Sequence, residues 1–473
     1  MTEAAVVGSG PNGLAAAVVL ARAGLAVTVY ETSERIGGGA RSSELTEPGL
    51  VHDDCSAFHP TGAASPLLRS LGLERYGLRW RWPEIDLAHP LDGGRAALLS
   101  RSMDTTERAL GADGAAWRGL FEPLADGFDE LFAELTRPMP HLPRHPVRVA
   151  RFGSRAVLPA TGLARRWGTV EARALFAGIA AHPLQSLSAP LSAAIGLMLT
   201  AAGHAYGWPV AEGGSQALPD ALAALLREHG GVIKTGVRIE SLAELAPADL
   251  VLLDVAPPAA RQIIGDRLPG PVARAYRRHR FGPAAYKLDL AVAGGIPWTN
   301  EHCARAGTVH LGGTLEEIAH AEAEAIAGRM PASPFMLLGQ QYLADPGRSR
   351  DDVHPVWAYA HVPHGYTGDA SEAMITQIER FAPGVRERIV RRFVRSATEM
   401  PRYNPNYVGG DIAAGSNQGL RQVFRPRIAM DPYSTGVDGV YLCSSATPPG
   451  AGAHGMCGYN AAQSALRYLN VAS

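Results

Sequence analysis

The residues best suited to chemistry come almost at once. "VVGSGPNGLAAAVVLARAGLAVTVYE", Val6 to Glu31, places Gly8, Gly10 and Gly13 in a G-x-G-x-x-G pattern and ends on an acid. The first glycine of such a pattern permits a tight turn and the second lets backbone approach a pyrophosphate. The third lets a helix pack closely on a strand, with its N-terminus aimed at the phosphates. Glu31 stands where a carboxylate can accept hydrogen bonds from ribose hydroxyls, and it would repel a 2′-phosphate, which disfavours NADP. These residues predict a bound dinucleotide and leave NAD and FAD open. The continuation "ETSERIGGGARSS" adds Arg35, Gly37, Gly38, Gly39 and Arg41, a second source of backbone donors and positive charge for the same anion.

The elements that must hold these groups follow from the pattern of apolar residues. Ala4–Val7 reads as a strand, Asn12–Ala23 as a helix and Ala26–Glu31 as a second strand, the first unit of a doubly wound sheet. "EGGSQALPDALAALLREHGG" from Glu212 predicts a glycine turn and an amphipathic helix closed by Gly230 and Gly231. Val232–Thr235, Val237–Ser241 and Leu250–Asp254 read as strands returning to the first sheet. Proline-rich residues 138–146 mark an irregular connection. Alternation over Ala284–Val292 and His354–Val362 predicts half-buried antiparallel strands with one face left free. Leu315–Gly328 and the arginine-rich Val385–Arg395 read as helical, and Gly439–Leu469 as strand, glycine turn and helix.

Taken together, Val6–Ser42 resembles the FAD-binding signature of the amine oxidase and phytoene desaturase superfamily. "GVYLCSSATPPGAGAHGMCGYNAAQSAL" from Gly439 resembles the closing motif of its phytoene-desaturase-like branch. The resemblance implies an α/β fold: a discontinuous, Rossmann-like FAD-binding domain with an inserted α+β substrate domain containing an antiparallel sheet. The expected division gives the FAD domain residues 1–75, 210–268 and 435–473, and the substrate or cap domain residues 76–209 and 269–434. It also implies contacts. Gly8, Gly10, Pro11, Asn12 and Gly13 would hold the pyrophosphate, Glu31 the adenosine ribose, and Arg35 with Gly38, Gly39, Ala40 and Arg41 the phosphate and ribityl side. Val237 would meet adenine through its backbone. Ala451, Gly452, His454, Gly455 and Met456 would lie at the isoalloxazine ring. Ser444 and Ser445 stand where many relatives carry a glycine followed by an acid, so Ser444 would contribute a hydroxyl to the cofactor. FAD is expected to be held non-covalently, His454 and Cys457 being the nearest candidates for attachment.

The glycine turn before the last helix would bring a helix N-terminus to the flavin's N1–C2 carbonyl edge, where a reduced flavin is negative. For catalysis His59, in "CSAFHPTGA", is the candidate side chain. Trp357, Tyr359 and His361 share one face of a strand and are candidates for a pocket wall, although burial alone also accounts for the first two. His302, Cys303 and His310 fit no common zinc spacing, so no metal site is expected. The chain has no G-x-S-x-G, P-loop or H-E-x-x-H motif, which excludes the common hydrolase and NTPase classes.

Composition sets the remaining bounds. The 473 residues are 46% hydrophobic and 19% charged with a formal net charge of −1, which suits a globular protein and offers nothing to nucleic acid. Four cysteines without a CxxC pair argue against disulfides, and no signal peptide precedes the first strand, so a cytoplasmic protein is expected. The apolar run "APLSAAIGLMLTAAGHAYGWP" from Ala189 reads either as a plain buried helix or, as the resemblance implies for comparable segments, as the border of an apolar cavity or membrane-facing entrance, in which case the substrate is apolar and peripheral membrane contact is an expectation. The reading is an FAD-dependent, phytoene-desaturase-like dehydrogenase that desaturates a hydrophobic, isoprenoid- or lipid-like small molecule by hydride transfer to flavin N5. An amine or amino-acid oxidase, and a non-catalytic prenyl or lipid carrier, are the alternatives.

Overall fold

In the computed structural model, residues 2–138 and 141–469 are described; two residues of the expected 138–146 connection lie outside them. β1 (Glu3–Val7), α1 (Pro11–Arg22) and β2 (Ala26–Tyr30) open the chain, and β1 pairs parallel to β2 from Glu3↔Ala26 to Val7↔Tyr30. α1 starts with Pro11 at its first position, where the missing N–H costs nothing. The chain then leaves for a second layer through the hairpin β3 (Ile85–Leu91) and β4 (Arg95–Leu99). Helices α2 (Gly114–Ala125), α3 (Pro146–Ala156), α4 (Val170–Ala180) and α5 (Ala193–Tyr206) follow. It returns with α6 (Ala217–Glu228), β5 (Val232–Lys234) and β6 (Leu250–Leu253). It leaves again for β7 (Ala284–Ala293), β8 (Ala306–Leu311), α7 (Leu315–Ile326), β9 (Met336–Gly339), β10 (Val353–Val362) and β11 (Ile389–Arg395). β12 (Val440–Leu442) and α8 (Met456–Tyr468) complete the first layer.

Five strands form one wholly parallel sheet in the order β12-β6-β1-β2-β5. The crevice beyond the carboxyl ends of such strands is where ligands bind in open α/β sheets. α8 lies against α1 so closely that a Cβ on Gly458 would stand 1.9 Å from the carbonyl oxygen of Asn12. The second sheet runs β11-β7-β10-β9-β8-β3-β4. It is mixed and not purely antiparallel, because β8 pairs parallel with β3.

Three local expectations are corrected. β7 and β10 are buried on both faces, not half-buried: Tyr286, Leu288, Leu290, Val356 and Ala358 enter one core, while on the other face Ala285 enters a second core and Trp357 and Tyr359 both join that core and line the cleft. The alternation sorts residues between two buried sides, not between core and water. Val385–Arg395 is one helical turn followed by the edge strand β11, whose Arg391 and Arg392 reach Glu47 and Glu372. Such charges suit an unpaired sheet edge. Val237–Ser241 forms no strand.

Candidate functional site

The glycine turn is built to the tolerances its sequence implies. A Cβ on Gly13 would lie 2.2 Å from the carbonyl oxygen of Gly8, and one on Gly10 would lie 2.7 Å from Oδ2 of Asp254. Gly8 has φ +105°, which L side chains adopt only under strain. The Gly38–Ala40 turn presses on the first, with a Cβ at Gly38 3.0 Å from Cα of Gly10. Glu31 is buried at the end of β2: Oε2 accepts from the N–H (2.9 Å) and hydroxyl (2.5 Å) of Ser9, and Oε1 from Ser33 N–H (2.8 Å).

Arg41 is the informative cation here. It is buried and donates to the Gly38 carbonyl (2.9 Å), the Ser33 hydroxyl (2.9 Å) and the Tyr403 carbonyl (2.7 Å). Its guanidinium lies 4.3 Å from the centre of the Tyr403 ring. All these partners are neutral. A buried guanidinium without a carboxylate, beside two glycine turns, is a fit for a diphosphate, the anion that supplies the missing charge.

One continuous cleft of about 450 Å³ joins these turns to the second layer. Gly8, Gly10, Pro11, Asn12, Glu31, Gly38, Gly39, Ala40 and Arg41 line its outer end, together with Val237. Val237 has spent its N–H on the Glu31 carbonyl (2.8 Å), so its carbonyl is the backbone group that remains for a ligand. Ser444, Ala451 and Gly452 line the middle, and Ser445 accepts from Asn12 Nδ2 (3.2 Å), which ties the last glycine turn to the first. Ile195, Met198, Leu199, Trp208, Leu337 and Trp357 are among the walls of the inner end.

Several expected site residues stand elsewhere. Arg35 is exposed and clamps the Ser42 carbonyl (2.6 Å) and the Ser43 hydroxyl (3.0 Å), away from the cleft walls. His454, Gly455 and Met456 lie behind the turn. His454 Nδ1 accepts the Met456 N–H (3.1 Å), and burial lowers this imidazole to about 4. The thiol of Cys457 points to the carbonyls of Thr447 and Gly450, and burial raises it to about 12. Gly13 packs inside the turn, its N–H donating to Asp254 Oδ2 (3.0 Å). His59 is corrected as the catalytic candidate. Its ring is fully buried, hydrogen-bonded through Nε2 to Ser215 (2.8 Å) and packed on Trp80, with burial lowering it to about 4. His361 likewise turns from the cleft to Glu322 (2.6 Å). Cys303 is buried, and His310 packs among His182, Trp208 and Phe335.

Sequence reasoning missed four groups that do face the cleft or support it. His182 is the imidazole in its wall; Nδ1 donates to the Ile179 carbonyl (2.9 Å), so Nε2 carries the free lone pair. Asp254, at the end of β6, is raised to about 7, chiefly by burial and further by Glu31, with the Gly13 and Gly10 amides opposing. Its place just past a run of apolar strand residues is a signal that could have found it. Arg425 is a buried cleft-lining guanidinium that donates to the Gly415 carbonyl (3.1 Å) while its Nε has no partner; burial lowers it, with Asp411 opposing. Lys287 is buried against Asp289 with Nζ 5.3 Å from the centre of the Trp357 ring, so it backs an aromatic wall of the cleft. Burial lowers it and Asp289 opposes.

Residues 12–264, more than half the chain, match the family described as flavin containing amine oxidoreductase. The chain belongs to this family. Over 99% of its length the chain is 24% identical to pyridine nucleotide-disulfide oxidoreductase domain-containing protein 2 of Mus musculus, covering 94% of that protein. A 71-residue stretch, 15% of the chain, is 44% identical to hydroxysqualene dehydroxylase of Rhodopseudomonas palustris and covers 17% of it. Among solved structures, putrescine oxidase bound to putrescine shares the fold with a TM-score of 0.62 over 99% of both chains at 18% identity. The protein is a flavin oxidoreductase and FAD is its cofactor. The glycine cradle, the uncompensated Arg41 and the continuity of the cleft from the glycine turns to the second layer fit that molecule.

Proposed function

We propose that this FAD-dependent oxidoreductase dehydrogenates a carbon–carbon bond in a hydrophobic, isoprenoid- or lipid-like small molecule. The observation that carries the reading is the make-up of the cleft walls. The acids among them (Glu31, Glu240 and Asp254) belong to the nucleotide end; the walls beyond it carry no carboxylate and set the aliphatic and aromatic Ile195, Met198, Leu199, Trp208, Leu337, Trp357 and Tyr359 beside a few polar groups, His182, Thr308, Asn417, Gln422 and Arg425. A substrate without polar handles is recognised by shape and apolar contact, which such walls provide. FAD, when bound, supplies the hydride acceptor. The chain's own part is to hold the diphosphate with Arg41 and the glycine turns, to exclude water at Trp208 and Trp357, and to offer Nε2 of His182 to a departing proton. The short similarity to hydroxysqualene dehydroxylase supports an isoprenoid substrate.

Arg425 favours a second reading, an amine or amino-acid oxidase. A buried guanidinium with an unpartnered Nε in the cleft is suited to a substrate carboxylate. Anaerobic titration of the purified holoenzyme separates the two. Loss of the flavin bands with isoprenoid hydrocarbons and not with amines or amino acids is the expected result. The reverse pattern overturns the desaturase reading, and a protein that is colourless and takes up no FAD overturns both in favour of a carrier.

A further inference from the structure

The apolar run at Ala189–Pro209 does not offer an outward membrane face, because most of α5 is buried. Outward apolar side chains gather on a different segment. Leu142 is 91% exposed, Val147 76%, Val157 52% and Leu158 40%. Between Leu135 and Val170 the sequence holds seven arginines and no Asp or Glu. On α3 and just beyond it the exposed positions after the leading Pro146 are Val147, Ala150, Arg151, Ser154, Val157 and Leu158, a single face at i, i+3, i+4, i+7 spacing, while Phe152 and Ala156 bury the other. Arg148 and Arg137 are held by Glu130 and Glu134. Among the described residues Arg144, Arg151, Arg155, Arg165 and Arg166 have no ion pair.

A surface facing only water interleaves both signs of charge and keeps large apolar side chains scattered. This one pairs protruding Val and Leu with uncompensated guanidinium groups. Those are the components of a helix lying in a lipid interface: the apolar groups enter the acyl boundary and the arginines meet phosphates. Its position adds a purpose. The N–H groups of Leu191 and Ala193 donate to the carbonyls of Val157 (3.1 Å) and Leu158 (3.2 Å). That joins the patch to the start of α5, whose half-buried Ile195 and Met198 line the inner cleft.

We propose that the face formed by Leu142, α3 and Val157–Leu158 docks this protein on a bilayer containing anionic phospholipid, next to the mouth through which an apolar substrate reaches the cleft. Docking stands on the surface itself; only the delivery of substrate rests on the desaturase reading. The test is co-sedimentation of the FAD-loaded protein with vesicles of phosphatidylcholine alone and of phosphatidylcholine with phosphatidylglycerol in equal parts. Binding to the anionic vesicles at least about tenfold tighter than to neutral ones, and weakened by salt, is expected. Leu142→Asp with Val147→Asp, and separately Arg151→Glu with Arg165→Glu, should each lower it about tenfold or more while leaving the flavin spectrum and melting temperature in place. Equal binding to both vesicle types, or unchanged binding by both double variants, overturns the proposal. Tight retention on an acidic polymer such as heparin without vesicle binding overturns it in favour of an acidic macromolecule. Vesicle binding by a protein whose flavin is not reduced by isoprenoids upholds docking while the substrate reading falls.

Discussion

Asp254 makes the strongest quantitative demand on the site. Its carboxyl lies beyond the end of β6, takes the Gly13 amide at 3.0 Å and is raised from 3.8 to about 7, mainly because burial penalises the charged form. The folded protein therefore holds this proton far more tightly than the unfolded chain. The stabilisation is complete below pH 4 and is lost as the pH rises through about 7. At about 1.4 kcal/mol per pH unit the full loss is roughly 4 kcal/mol, of which roughly 2–3 kcal/mol falls between pH 5 and 7. Asp254→Asn keeps an oxygen for the Gly13 amide and removes the titration. Urea unfolding of the apoprotein from pH 5 to 8 should show the wild type losing that much relative to the variant, with the difference flattening above pH 7. FAD adds a diphosphate to the same glycine turn, so ionised Asp254 opposes it. The wild-type dissociation constant for FAD should rise by up to about tenfold per pH unit above pH 7, and the variant's should not. Parallel stability curves for the two proteins between pH 5 and 7 would refute the assignment of a raised carboxyl to this turn.

Arg41→Met removes the cation that has only neutral partners; charge-assisted hydrogen bonds of about 1.5–3 kcal/mol predict ten- to a hundredfold weaker FAD retention, read as flavin per polypeptide after gel filtration. Full retention would place the phosphates elsewhere. His182→Gln should leave the flavin spectrum intact and slow its anaerobic reduction by substrate about 10²- to 10⁴-fold, as loss of a proton acceptor does; an unchanged rate removes His182 from the chemistry. Gly458→Ala forces a methyl against the Asn12 carbonyl, 1.9 Å from its ideal position, and overpacking between two helices should cost at least about 1–3 kcal/mol in urea unfolding, with FAD affinity falling because Asn12 belongs to the first glycine turn.

What could be read from the sequence was local, and what could not was long-range. The spacing of Gly8, Gly10 and Gly13 encodes the turn locally, as the clearance of Gly13 against the Gly8 carbonyl shows, whereas the clearances of Gly8 and Gly10 are against Asp254, far along the chain and legible only once the strands pair. Glu31 is similarly set by the end of β2. His59 and His182 show the limit. Both sit near prolines in unremarkable stretches, and only the fold decides that Ser215, 156 positions away, captures one while the other stays in the cleft wall. Arg425 comes from the loop before β12 and carries no local signature. The alternation over β7 and β10 was visible, yet a period of two reports only that two faces differ. Here both are buried, and the pairing of Lys287 with Asp289 on the aromatic side makes a charged pair look like a solvent face.

The same ambiguity separates the two apolar segments of the cap. Ala193–Tyr206 is the more hydrophobic helix, and for that reason it is buried, with a few side chains turned to the cleft. Pro146–Ala156 is modestly apolar and rich in arginine, and that composition lets it lie at a surface with Val147 exposed. High mean hydropathy selects the interior, whereas exposed apolar groups beside unpaired cations select an interface. The connection between the segments through Val157, Leu158, Leu191 and Ala193 then decides whether they act together. If it does, cutting vesicle binding with Leu142→Asp and Val147→Asp should slow flavin reduction by a vesicle-borne isoprenoid and leave reduction by a detergent-dispersed one unchanged. Equal rates from both sources would make the arginine-rich face an anchor with no part in substrate entry.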